Sequence, residues 1–339
     1  MKRYTFVTLL AGLVILSGST FPAYEGAKDY PIQAEEMGTS TQEPWSEGHC
    51  TVIYASNGER ALAGGNEDWD DPSAQVRFLP PEDGKYGIVY FGFANSTYEA
   101  GMNDQGLFFD AAATSPLEVV GSRHKISSGG YPVQEVMETS ATVEEALAVF
   151  DKYNLAFMED FQLMFGDSKG NSAILEGDEV IYKEGDYQIM TNFYQSQLPE
   201  GILPGRRYRT AESMFERISD ISLELFKMIL YETHQEGRYP TQYSNIYDLT
   251  NRKVHVFYLY DYEKVVEIDL EKMLRQGAHT YELSSLFAVA FPAVAVTETT
   301  AAEMIPTRFT PGKSCPLATI CVPSNISPFP FSNSVTILK

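Results

Sequence analysis

The feature that most constrains this chain is an abrupt change of texture at Cys50. Residues 21–49 are rich in Pro, Gly, Ser, Thr and Glu and show no apolar periodicity, which is typical of a linker or propeptide. From Cys50 onward, two β-type runs, CTVIYA and RALAGG, flank the dipeptide Asn57-Gly58. Asn-Gly between such runs is the strongest short-range hairpin signal. A globular domain is therefore predicted to begin at Cys50 with a tight β-hairpin.

The rest of the domain is predicted to alternate hairpins with paired helices. The predicted segments are strands at 86–93 and 106–111, helices at about 131–139 and 143–153, a four-stranded meander over 161–192, a helical region at 207–232 broken near 219–222, a strand pair at 253–260 and 264–270, and a short helix ending near 275. The second helix carries a capping box from Thr142 to Glu145. Hairpin-built sheets with helices between them indicate an α+β layered domain with antiparallel sheets.

Charge excludes some classes of partner. The 339-residue chain is long enough for a sizeable core, and it holds 25 Lys and Arg against 46 Asp and Glu, a formal net charge of −21. A field of that sign repels nucleic acids and anionic membrane surfaces. No nucleic-acid partner is expected.

Both ends of the chain differ from the predicted domain. Lys2 and Arg3 precede an apolar run at 6–16 that is too short for a comfortable membrane span, so residues 1–22 are predicted to be a signal peptide. An uncleaved N-terminal anchor is the alternative. Residues 23–49 then form a propeptide or linker, and the protein is expected to be secreted or periplasmic with no stable membrane span after processing. The Pro/Ser/Thr-rich segment 288–339 is predicted to be an appended, partly disordered tail.

Cysteine usage draws attention to Cys50. The chain has three cysteines; Cys315 and Cys321 could pair locally across their short loop, which leaves Cys50 unpaired. A thiol attacks as thiolate and needs a nearby base. If the chain is cut before Cys50, the new α-amine, with an ordinary pKa of roughly 7.7–8.0, supplies that base on the same residue. The alternative is a strand cysteine that only packs in the core.

The hairpin brings a carboxylate towards this cysteine. Its second strand ends in GGNEDW, residues 64–69, and the end of strand two lies beside the start of strand one. Asp68 is therefore predicted to lie near Cys50, where it could hold and orient the α-ammonium group. The alternative for Asp68 is an ordinary turn residue.

These motifs resemble a known superfamily. Cys50-Thr51, the Asn-Gly hairpin and GGNEDW resemble the N-terminal-nucleophile hydrolases of linear amides, which include choloylglycine hydrolases, penicillin V acylases, acid ceramidases and isopenicillin-type acyltransferases. Further similar motifs follow in the same order: GMNDQGL (101–107), MTNFYQ (190–195), RRYRTAE (206–212) and YSNIYDL (243–249). The resemblance covers about residues 50–286 and is greatest to the acyltransferase-like branch.

The resemblance implies a fold and a set of roles. The fold is a four-layer αββα sandwich with antiparallel sheets, formed by a catalytic domain at 50–287. Cys50 becomes nucleophile and base, Asp68 its amine-orienting partner, and Asn192 a donor to the tetrahedral oxyanion. Arg207 corresponds to an arginine that holds the network of charged and amide groups, with Arg206 and Arg209 as rivals. Asn66 is a tentative further member of the site.

Two departures from the family pattern matter. Bile-salt hydrolases have an Arg directly before the motif Asn, where this chain has Gly65. Their oxyanion-side Asn has no counterpart, because residues 111–114 are Ala-Ala-Ala-Thr. A backbone N–H near Ala112 or Ala113 is the predicted substitute.

The implied reaction is attack of Cys50 on a linear amide carbonyl, formation of a thioester and release to water, with acyl transfer as a variant. The substrate would be a small N-acyl amide, and no cofactor is expected. No metal is expected either, since no His or Cys pair has ligand spacing beside acidic residues.

Two other functional classes stay open: a non-catalytic exported binding protein that kept the fold, and a papain-like Cys–His hydrolase. The sequence predicts no oligomeric state.

Overall fold

The computed structural model describes residues 18–19, 50–94, 98–119, 125–127 and 132–290. Apart from Gly18 and Ser19, the predicted signal peptide and propeptide lie outside the described residues. So do the tail beyond 290 and the Cys315–Cys321 pair.

Most strands belong to two antiparallel sheets. The first has seven strands in the order β1-β16-β15-β14-β3-β2-β13. Their bounds are β1 Gly18–Ser19, β2 Thr51–Ser56, β3 Ala61–Asp68, β13 Tyr187–Met190, β14 Thr241–Asp248, β15 Lys253–Tyr258 and β16 Val265–Asp269. The cysteine hairpin, β2 and β3, lies inside this sheet rather than at its edge.

The second sheet has eight strands in the order β12-β11-β10-β7-β6-β5-β4-β17. Their bounds are β4 Ala74–Leu79, β5 Ile88–Phe93, β6 Tyr98–Asn103, β7 Leu107–Ala113, β10 Phe161–Asp167, β11 Ser172–Glu176, β12 Glu179–Tyr182 and β17 His279–Glu282. A separate parallel pair joins β8 Ile126–Ser127 to β9 Tyr153–Asn154.

Two pairs of helices cover the outer faces of the sheets. The helices are α1 Pro132–Thr139, α2 Val143–Phe150, α3 Arg206–Arg217, α4 Leu223–Thr233, α5 Leu270–Leu274 and α6 Leu283–Ala290. One buried cluster joins α1 and α2 to the second sheet, another joins α3 and α4 to the first sheet, and a third fills the space between the sheets. The layers run α, β, β, α, so the predicted sandwich is confirmed.

Local sequence explains the cysteine hairpin. The Asn57 side chain accepts hydrogen bonds from the N–H groups of Glu59 and Arg60, and Gly58 has a φ of +85°, which favours glycine. The strands pair with Thr51 opposite Asn66. Continuing that register by one residue sets Cys50 opposite Glu67, one residue before Asp68.

Several helix predictions are confirmed. Thr142 caps α2 by accepting from the Glu145 N–H, and the Glu145 carboxylate accepts the N–H of Ala141. The helical region 207–232 divides into α3 and α4 near the predicted break.

The predicted meander over 161–192 is wrong in its last strand. β10, β11 and β12 are neighbours in the second sheet, whereas β13 pairs with β2 in the first sheet, with Met190 opposite Val52. Turn residues show that strands follow one another, but they do not show which sheet each strand joins. The crossing delivers the residues after β13 to the start of β2.

Candidate active site

Cys50 lies at the start of β2, partly exposed, at the inner end of the hairpin. Its sulfur lies 3.8 Å from Oε2 of Glu67 and accepts the backbone N–H of Asp68. Burial raises the pKa of the thiol well above its ordinary value, and the carboxyl groups of Glu67, Asp68 and Asp110 raise it further. Thiolate formation here therefore requires a base or a positive charge close to the sulfur.

Arg207 ties the cysteine to the next strand. It lies in the first turn of α3 and is only 6% exposed. Its guanidinium donates to the Cys50 carbonyl, to Thr51 Oγ1 at 3.0 Å and to Asn192 Oδ1 at 2.8 Å. Five fixed donors suit a group that must hold several acceptors at once.

The two neighbouring arginines point elsewhere. Arg206 donates to the carbonyl of Glu232, and Arg209 donates to the carbonyl of Pro204. Of the three arginines that the sequence offered, Arg207 is the one that these hydrogen bonds bring to Cys50.

Asn192 follows β13 and is 3% exposed. Its amide nitrogen donates to the carbonyl of Ala113 at 2.8 Å while its oxygen accepts from Arg207. The buried Gln162 donates to the carbonyls of Thr191 and Phe193 and so fixes the backbone on both sides of Asn192. A side-chain amide has two N–H bonds, so one remains for a ligand.

The predicted backbone site lies beside this asparagine. Ala112 and Ala113 end β7, Ala112 buried and Ala113 exposed. The Ala113 carbonyl holds Asn192, so the two oxyanion candidates are neighbours across the two sheets. The role of the Ala112 or Ala113 N–H stays a prediction.

Asp68 is 2% exposed and carries an unmatched oxygen. Its Oδ1 accepts the hydroxyl of Thr241, but Oδ2 is buried without a hydrogen-bond partner among the described residues. Burial raises the pKa of this carboxyl, and the positive charge of Arg207 opposes that rise. A buried carboxylate of this kind gains from a cationic partner.

Asn66 lies on the face of β3 that packs against α4. Its nitrogen donates to the Leu230 carbonyl and Thr233 hydroxyl of α4, and its oxygen accepts from the hydroxyls of Ser244 and Tyr262. These four hydrogen bonds join strand to helix. The structure does not bring Asn66 to the sulfur, and its tentative substrate role stays a prediction.

Sequence reasoning missed two further acidic residues whose charge acts on the sulfur, Glu67 and Asp110. Glu67 and Asp110 are 3% and 0% exposed, and both lie in the space between the sheets. A Cβ at Gly65 would lie 2.4 Å from Asp110 Oδ2, which explains why this position has no side chain. The available signal was the single charge in the apolar segment GLFFDA and the register that sets Glu67 opposite Cys50.

No three His, Cys, Asp or Glu residues in the described part of the chain are arranged to hold a metal ion. No helix there is long and apolar enough to cross a membrane. Among the described histidines, His234 lies near Glu236, His255 near Glu267, and His279 stacks on Phe78.

Comparison with known proteins gives neighbours in structure only. No family model matches the sequence, and no curated protein matches it. A cysteine-to-alanine mutant of a conjugated bile acid hydrolase from Clostridium perfringens superimposes with a TM-score of 0.54 and 18% identity, over 68% of this chain and 96% of that one. A penicillin V acylase from Agrobacterium tumefaciens gives a TM-score of 0.51 and 18% identity, over 69% and 91%. The chain therefore has the Ntn-hydrolase sandwich fold that these amide hydrolases share.

Proposed function

We propose that this protein is an exported amidohydrolase that cleaves a linear amide of a small N-acyl substrate through a thioester on Cys50. Cys50 is freed as the first residue of the mature chain by a cut after His49. Its α-amine is then the base, and no cofactor is needed. The amide substrates named for the two structural neighbours, a conjugated bile acid and penicillin V, support this substrate class.

The observation that carries the proposal is the arrangement of partners around Cys50. Arg207 holds the Cys50 carbonyl and Asn192 together, and the Asp68 N–H contacts the sulfur. The unmatched Asp68 Oδ2 is suited to an α-ammonium group, because a charge-assisted hydrogen bond would satisfy it. These contacts support the proposal, because they link the proposed nucleophile to the proposed oxyanion donor through Arg207 and to the proposed base holder through the Asp68 backbone.

The chemistry balances with these residues alone. The α-amine takes the thiol proton as sulfur attacks the carbonyl carbon, and the free Asn192 N–H donates to the oxyanion. Collapse of the intermediate breaks the C–N bond, and the proton passes from the α-ammonium to the leaving nitrogen. Water, deprotonated by the same amine, then hydrolyses the thioester to a carboxylic acid and restores the thiol. An acceptor amine in place of water would make the reaction an acyl transfer.

The deciding experiment combines N-terminal sequencing of the secreted protein with an assay on N-acyl amides. We expect the mature chain to begin at Cys50 and to release amine from the substrate, and we expect Cys50→Ala to release none. An intact, active protein beginning near residue 24 would contradict the N-terminal-nucleophile mechanism. If Cys50→Ala is still cut before position 50, an external protease performs the cleavage.

Two alternatives make different predictions. A Cys–His hydrolase would need an imidazole at the sulfur, and the contacts of His234, His255 and His279 lie with Glu236, Glu267 and Phe78. A non-catalytic binding protein would keep residues 23–49 attached and would bind an N-acyl amide without releasing its amine. Mass measurement of the secreted chain beside a product assay separates these outcomes.

A further inference from the structure

A chain of three groups runs inward from the nucleophile. Cys50 Sγ lies 3.8 Å from Glu67 Oε2. The other oxygen of that carboxyl, Oε1, and Asp110 Oδ2 lie 3.6 Å and 2.4 Å from one point, the position of a Cβ at Gly65. The missing side chain at Gly65 is what lets the two carboxyl groups converge.

These carboxyl groups lack ordinary partners. Glu67 Oε1 and both oxygens of Asp110 are buried and have no well-formed hydrogen bond among the described residues, although the backbone N–H of Ala111 lies close enough to favour the ionised form of Asp110. Two ionised carboxylates in contact and out of water would each pay a large desolvation cost and repel one another. A proton on each group removes both costs, because an O–H of Asp110 can then donate to Glu67 Oε1.

The charged surroundings favour the protonated forms. Glu99 on β6 and Asp68 on β3 add negative charge around the two carboxyl groups. Tyr243 and Tyr247 on β14 contribute neutral hydroxyls. The positive charge of Arg207 on α3 is engaged in hydrogen bonds to Cys50, Thr51 and Asn192. Burial, assisted by Glu99, raises the pKa of Glu67 to about 8. Burial and Glu67 hold the pKa of Asp110 well above its usual range.

We propose that Glu67 is a further catalytic residue, which in its neutral form donates a hydrogen bond to the Cys50 sulfur once the thiol has lost its proton, and that Asp110 is the positioning residue that holds Glu67 Oε1 and so turns Oε2 towards that sulfur. The proposal rests on the proposed function, because it assigns a donor to the same nucleophile. A neutral donor stabilises the negative charge that develops on sulfur, whereas an ionised Glu67 opposes it.

The ionisation of Glu67 determines how the reactivity of Cys50 depends on pH. The pKa of Glu67 is raised, so the donor is present below about pH 8 and is lost as the pH rises through that value. The thiol then meets a fixed negative charge, and its ionisation becomes harder as the solution becomes more alkaline. A glutamine at this position keeps an N–H donor and never ionises.

The test is the pH profile of Cys50 alkylation by iodoacetamide, followed by mass spectrometry from pH 6 to pH 10. All proteins are the mature chain and carry Cys315→Ser and Cys321→Ser, so that Cys50 is the thiol observed. The test variants are Glu67→Gln and Glu67→Leu. The matched control is Glu59→Gln, which removes a carboxylate from the exposed turn of the same hairpin.

We expect wild type and Glu67→Gln to coincide below pH 7 and to diverge above pH 8, where wild type should lag by about tenfold. Glu67→Leu should be slower than Glu67→Gln by about tenfold to a hundredfold at every pH, because the donor to the thiolate is lost. The Glu59→Gln profile should overlay wild type.

Superimposable wild-type and Glu67→Gln profiles would overturn the proposal, and so would equal rates for Glu67→Gln and Glu67→Leu. Thermal unfolding of each variant shows whether the compared proteins are folded. Alkylation needs no substrate, so a protein that cleaves no N-acyl amide would contradict the proposed function while this profile still decides the role of Glu67.

Discussion

Asn66 and Glu67 are neighbours on β3, yet they meet opposite environments. Asn66 faces α4, and its side chain makes four hydrogen bonds there. Glu67 faces the space between the sheets, where its Oε1 and both oxygens of Asp110 have no well-formed hydrogen bond among the described residues. Both side chains are nearly fully buried. One strand therefore presents a satisfied polar face and an unsatisfied one.

This difference distinguishes buried polar groups that stabilise the fold from buried polar groups that are suited to a role in the site. A buried polar group with all its hydrogen bonds made contributes to stability, whereas an unmatched one costs stability unless a proton or ligand completes it. Asp68, with one matched and one unmatched oxygen, belongs to the second kind. Substitutions on the two faces should therefore affect different measurements.

The largest effect after loss of the nucleophile is expected at Asn192. If its free N–H meets the oxyanion, Asn192→Ala should lower kcat about a hundredfold to a thousandfold. KM should change little, since that bond strengthens only as charge develops. Steady-state kinetics on a cleaved N-acyl amide measures both quantities.

Asn192→Asp is the matched variant, because it keeps the acceptor for Arg207 and replaces the N–H donor by a repelling charge. It should be at least as damaging as Asn192→Ala. A change in KM alone would instead make Asn192 a substrate-binding residue and would move the oxyanion donor to the backbone at Ala112 or Ala113.

A smaller loss is expected for Asp68→Asn. Removing one charge-assisted bond to the α-ammonium costs roughly 1.5–3 kcal/mol, which corresponds to about a tenfold to hundredfold loss of rate. The amide can still accept from Thr241, so the thermal unfolding temperature should stay close to wild type. Unchanged turnover at normal stability would return Asp68 to the role of a turn residue.

The smallest effect on turnover is expected on the satisfied face. Asn66→Ala removes the four hydrogen bonds that this side chain makes to the Leu230 carbonyl and to the hydroxyls of Thr233, Ser244 and Tyr262, and this should lower the free energy of unfolding by about 1–3 kcal/mol. The kcat of the folded fraction should stay close to wild type. Chemical denaturation and kinetics on one preparation measure the two quantities, and a large fall in kcat at unchanged stability would erase the contrast between the two faces.

The sequence predicted the hairpin, the capped helix α2 and the helix break, because turns and helix caps depend on residues that are adjacent in the chain. The approach of Asp68 to Cys50 followed from hairpin geometry for the same reason. Asp110 and the β13 crossing escaped prediction because they depend on how one sheet packs on the other, which no neighbouring residue encodes. Arg207 could be preferred over Arg206 and Arg209 only once the orientation of α3 was known.

The Asn192–Ala113 hydrogen bond has a consequence for how the protein responds to heat. Asn192 follows a strand of the first sheet and Ala113 ends a strand of the second sheet. Their 2.8 Å hydrogen bond therefore forms only when the two sheets are correctly positioned against each other. A slip of one sheet across the other would dismantle the proposed oxyanion site while both sheets kept their internal ladders. The aromatic side chains packed between the two sheets, including Phe91, Phe108 and Tyr247, therefore help to hold the proposed oxyanion site in position. On heating, catalytic activity should therefore be lost at a lower temperature than the far-ultraviolet circular dichroism signal of the strands, because the packing between the sheets loosens first.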